Sequence, residues 1–120
     1  ADLNLLFADK RLASSKLLFE IGEPELGFAT LIKAEGYLVR AKEMEEENRK
    51  SGLDTGDMLN RLTKASMKHA YVIEEILTIA PEDAIAGVVE TANIPKGVYL
   101  ESSGHLRELQ LPVSENPFGW

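Results

Sequence analysis

Two side chains able to exchange protons or hold a metal fall where apolar residues are expected. His69 sits in the series Met58, Leu62, Ala65, His69, Val72, Ile76 and Ile79, and Glu35 sits between Leu31 and Leu38. Both series step by threes and fours, the mark of one helix face turned to a core. If the chain reverses at Gly52, Glu35 and His69 each stand seventeen residues from the turn, and equal rise per residue brings them to one height. The same counting about a turn near Glu23 raises Arg11 to that level. The spacing therefore predicts a polar layer of Arg11, Glu35 and His69 spanning three helices.

A carboxylate beside an imidazole has two chemical uses. Read functionally, Glu35 and His69 are candidates for a metal site or a proton shuttle, with the histidine titration moved by its neighbour. Read structurally, Arg11 and Glu35 form a charge-assisted pair that fixes helix register, and His69 satisfies the remaining valence. The structural reading is preferred, because two protein ligands are too few for a structural or catalytic metal. His105, expected in a mobile C-terminal arm, is not a credible third. Tyr37 and Tyr71 are two residues from the pair and so turn away from the seam.

The remaining motifs offer no reaction. There is no phosphate-binding glycine loop, nucleophile elbow, pair of histidines four apart or Glu-x-x-His of a di-iron bundle. Asp54-Thr55-Gly56-Asp57 opens like a calcium loop, but Ala65 stands at the twelfth position, where a carboxylate is required. A helix cap at Asp54 or Thr55 explains it better. The chain contains no cysteine, which removes thiolate nucleophiles, cysteine-ligated zinc and iron–sulfur chemistry. No cofactor is expected, and the chain reads as non-enzymatic.

The elements that position the pair are helices. From Asp2 to about Ile21, Leu5, Ala8, Leu12, Ser15 and Phe19 recur at three and four, with Leu6, Ala13 and Leu17 alongside. Gly22-Glu23-Pro24 suits a tight helix–helix turn, since glycine favours the position after a helix and proline the first turn of the next. A second helix is expected from Pro24 to Lys50, its polar end from Glu43 onward projecting into water. The third ends at Ala80-Pro81-Glu82, and a short fourth runs from about Pro81 to Ala92. The fold class is all-α, an antiparallel three- to four-helix up-and-down bundle over residues 1–95.

After Pro95 the period fades among Gly97, Ser102, Ser103, Gly104, Pro112, Pro117 and Gly119. Residues 96–120 read as a C-terminal arm, irregular or folded into a hairpin pairing Val98 and Leu100 with Leu109 and Leu111. Tyr99, Phe118 and Trp120 are its candidate interaction residues, seated on their own bundle or on a partner.

Charge narrows the partners. The formal net charge is −7, whereas a nucleic-acid surface calls for clustered lysine and arginine. The longest apolar runs, such as Leu17-Leu18-Phe19, fall far short of the ~20 residues of a membrane-spanning helix. A protein partner or self-association is the expectation, with a metal- or ligand-binding bundle accessory to a redox complex as the alternative.

The stretch Phe7-Ala8-Asp9-Lys10-Arg11-Leu12-Ala13, the glutamate-rich second helix, His69-Ala70-Tyr71-Val72-Ile73 and the Ala80-Pro81-Glu82 break resemble a bacterial domain-of-unknown-function family. The likeness covers about residues 3 to 92 and departs from the family pattern at Ser14-Ser15 and in the 96–120 arm. It implies a helical bundle in an exported or membrane-anchored protein, hence an extracytoplasmic setting, with roles for Arg11 and His69. It implies no reaction.

Overall fold

The computed structural model describes residues 2–120. Ala1, the first residue of the expected bundle, lies outside them. Five helices are present: α1 (Asp2–Glu20), α2 (Pro24–Lys50), α3 (Gly56–Ile79), α4 (Glu82–Thr91) and α5 (Asn93–Glu108), and no strand occurs among the described residues. The protein is an all-α helical bundle. The 27 residues of α2 reach about 40 Å at helical rise, most of the 46 Å long axis.

The turns follow from glycines in left-handed backbone. Gly22 has φ of +82° and Gly52 of +87°. Around each, two amides turn back onto the preceding helix: Glu23 N–H donates to Leu18 O and Gly22 N–H to Phe19 O, then Leu53 N–H to Asn48 O and Gly52 N–H to Arg49 O. These are the two bonds of a Schellman ending, which satisfies carbonyls that would otherwise lack partners. Pro24 then opens α2 where no intrahelical amide is lost. The reversals at Gly22 and Gly52 set α1, α2 and α3 antiparallel.

Two apolar clusters fill the interior. One joins Leu12, Phe19, Leu31, Ala34, Ile73, Ile76 and Val88, the other Ala8, Leu38, Ala41, Leu62 and Val98. The face of α3 is rotated from the series read in the sequence: Leu62, His69 and Ile76 are buried, but so are Leu59, Thr63, Ser66, Ala70 and Ile73, while Ile79 is exposed. Thr63 and Ser66 disguised this face. Their hydroxyls bond carbonyls of their own helix, Leu59 O and Leu62 O, and so pack as small groups without an unmet donor.

The C-terminal region departs most from expectation. No hairpin forms. Residues 96–108 continue as α5, antiparallel to α3, and only 109–120 are irregular. The boundary expected at residue 95 falls inside this helix, and Pro95 stands in its first turn, where its missing N–H costs nothing. Pro95, Val98, Tyr99, Ser102, Ser103 and Leu106 are all buried, a regular three-and-four pattern hidden because two of its members are serines. Helix α5 ends in a third Schellman turn, with Leu111 N–H on Leu106 O and Gln110 N–H on Arg107 O. Here Gln110, not glycine, takes the left-handed position at φ of 58°.

Candidate functional site

His69 is fully buried on α3, with each ring nitrogen facing a carboxyl group from a different helix. Nδ1 lies 2.6 Å from Glu35 Oε2 on α2, itself fully buried. Nε2 lies 3.1 Å from Asp9 Oδ1 on α1. Asp9 is about one-third exposed and also receives Lys68 Nζ at 3.3 Å. The expected pairing of Glu35 with His69 is thus present, and with it the register drawn from the Gly52 turn.

Arg11 does not complete the layer; Asp9 does. Arg11 is exposed, and its guanidinium carbon stands 6.0 Å from the Tyr37 ring centroid, beside Arg40 at 5.1 Å. The reason is azimuth rather than height. The core stripe of α1 is Ala8, Leu12, Ser15 and Phe19. At 100° per residue, Asp9 and Lys16 flank it on one side and Phe7 and Arg11 on the other. The first flank meets α3, where Lys16 also pairs with Glu75. The second meets α2, where Phe7 packs edge-on to Tyr37. Counting rise alone could not separate the two flanks.

The electrostatics follow from this geometry. Ionised carboxylates only accept hydrogen bonds, so an imidazole donating to both must carry two protons. Burial pushes the His69 titration down, but the hydrogen bonds the ring donates to Asp9 and Glu35 and their negative charge outweigh it and raise the pKa to about 9. Its bond with His69 holds the Asp9 carboxyl below the usual range, against burial, with Lys68 adding to the effect. Glu35 Oε1 has no hydrogen-bond partner, the one buried side-chain polar atom so placed among the described residues.

The same geometry bears on metal binding. Asp9 and Glu35 sit at opposite edges of one imidazole, so their oxygens do not converge on a point, and both ring nitrogens are already engaged. No group of three or more histidine, aspartate or glutamate side chains suited to a metal ion occurs among the described residues. His69 and Glu35 are closed to substrate, and only Asp9 reaches the surface, in a shallow depression shared with Arg61, Lys64 and Lys68.

A second buried carboxylate escaped the sequence reading. Glu45, in the stretch expected to project into water, is 2% exposed. Its Oε2 accepts from Thr55 Oγ1 at 2.7 Å and Arg49 Nε at 2.9 Å, closing the α2–α3 turn. Gly56 N–H donates to Asp54 Oδ1, so Asp54 supplies the cap contact while Thr55 reaches back to α2. The signal was in the spacing, because Leu38, Ala41 and Glu45 continue one stripe.

The aromatic residues of the C-terminal segment pack on their own chain. Trp120 stacks with Phe118 at 4.8 Å and meets Tyr99 at 5.3 Å. Asn116 donates to Tyr99 Oη and Trp120 O and accepts from Trp120 N–H. Tyr99 is 1% exposed, which makes it part of the bundle core.

No known family, curated protein or solved structure matches this chain. No helix among the described residues is long and apolar enough to cross a membrane.

Proposed function

We propose that this chain is a non-enzymatic helical scaffold that docks onto another protein or a copy of itself through the outward face of α1. One observation carries the reading. Helix α1 is apolar on two opposite sides: Ala8, Leu12, Ser15 and Phe19 face the core, while Leu3, Leu6, Ala13, Leu17 and, one residue past its end, Ile21 are exposed. At 100° per residue the exposed set lies opposite the buried one. A helix apolar on both sides is ordinarily covered on both. The aromatic segment expected to reach a partner is instead spent on Tyr99, which moves the docking surface from the C-terminus to α1.

The closed polar layer fits this reading. An imidazolium held between two carboxylates and shut from solvent sets the level at which three helices meet, the best-attested use of buried charge. The extracytoplasmic setting draws on the family resemblance, and fractionation of native cells tests it.

The docking surface is tested with a photo-crosslinking amino acid at position 17 and, for comparison, at Lys33 on the outward side of α2. Adducts formed in the producing cell from position 17 and not from position 33 are expected. Equal yields from both, or none from position 17, would remove the reading.

A further inference from the structure

We infer that the occupant of the α1 face is a second copy of this chain, packed antiparallel about Ala13. The inference rests on the docking reading above and adds the partner. Helix α1 contacts only α2 and α3, so its third side is open along its whole length. Leu3, Leu6, Leu17 and Ile21 there remain 59%, 49%, 56% and 63% exposed. Covering them together with Ala13 and the Lys10 stem in two copies removes on the order of 1,000 Å² in total, the lower bound of a specific interface. A reversible dimer rather than a permanent one follows.

Charge selects both partner and direction. Lys10 is the one charged residue within the stripe and Glu20 borders it. Neither forms an ion pair or side-chain hydrogen bond among the described residues. A parallel pair would set Lys10 against Lys10 and Glu20 against Glu20. In an antiparallel pair centred on Ala13, Leu6 meets Ile21 of the second copy and the Lys10 stem lies on Leu17. Lys10 and Glu20 then differ by about 6 Å along the axis, within a lysine's reach. The two-fold axis repeats each contact, as an isologous interface requires. Ala13 at the crossing lets the backbones approach. The net charge of −7 on each copy opposes the pairing, so salt strengthens it by screening the repulsion.

Sedimentation of the full chain from about 1 µM to 1 mM tests the inference, with micromolar affinity expected at this interface size. A reversible shift from 13.2 kDa toward twice that mass is expected, stronger at high salt. Leu6→Glu with Leu17→Glu should weaken it at least about a hundredfold while circular dichroism is unchanged. Lys10→Glu and Glu20→Lys should each weaken it severalfold, and the two together should restore it, a pattern specific to antiparallel self-pairing. A wild-type chain that stays at 13.2 kDa throughout, or a dimer indifferent to the paired leucine change, overturns the inference. If a monomeric chain still yields adducts with a different protein from position 17, only self-pairing fails. If it yields none, the docking reading fails as well.

Discussion

Helix α2 buries two glutamates on one stripe, Glu35 and Glu45, and their surroundings are opposite. Glu35 sits midway along the helix, fully buried, bonded to one imidazole and with its second oxygen unmatched. Glu45 sits ten residues on, next to a turn, with one oxygen accepting from both a hydroxyl and a guanidinium. A carboxylate near a turn draws donors from flexible neighbours. A carboxylate in the middle of a bundle has only the residues that other helices bring to its height, and its arrangement is fixed by their register. The first is a local fastening; the second couples three helices to one proton.

The largest expected effect breaks the central site. His69→Ala leaves the Glu35 carboxylate buried without a partner and should lower unfolding free energy by about 4 kcal/mol, read from denaturant titration. Glu35→Leu combined with His69→Leu should be close to neutral, because Asp9 is partly exposed and can hydrate. A double variant as unstable as the single would refute the account of an uncompensated charge.

Titration comes next. The His69 pKa is raised from 6.5 to about 9, so its contribution is complete below pH 6.5 and disappears as pH rises through about 9. Stability should therefore fall by roughly 3 kcal/mol between pH 6.5 and 9.5. The groups facing the ring are Asp9 from α1 and Glu35 from α2, with Lys68 on Asp9. Asp9, shifted the other way, contributes above its ordinary range and loses that contribution in acid as pH falls through its lowered value. Thermal melts in acid, through the Asp9 titration, and from neutral to alkaline pH check the two limbs, and His69→Gln should flatten the alkaline one.

Removing the fastening costs less. Thr55→Val takes one donor from Glu45 but leaves Arg49 in place, and a loss of about 2 kcal/mol is expected for a hydrogen bond to a charged group. A loss as large as that of His69→Ala would erase the distinction between the two glutamates. The smallest effect lies outside both sites. Gln110→Gly relieves a left-handed backbone and should add about 1 kcal/mol, again by denaturant titration.

Much of this was legible in the chain. Gly22 and Gly52 announced both hairpins, and counting from Gly52 brought Glu35 to His69 correctly. What failed did so for definite physical reasons. Height was readable for Arg11, but the side of α1 facing α3 depends on how the hairpins cross, which is a tertiary fact. Helix α5 was hidden because Ser102 and Ser103 occupy core positions and because Gln110 ends it in a place normally marked by glycine. The outward leucines of α1 were visible as residues alongside the main stripe, yet only burial shows that they lie outside the core.

The attachment of α1 has a kinetic consequence. Packed on α2 and α3 and on no other helix, it has an open outward side, and amides beyond Asp9 would ordinarily exchange with solvent by its local peeling. The Asp9–imidazolium contact ties such opening to exposure of the buried histidine on α3. At neutral pH the α1 amides should therefore exchange along with the slowest amides of α3. Above pH 9, once the ring has lost its second proton, α1 should exchange on its own and faster, so that protonation decides whether the bundle opens as one unit or two.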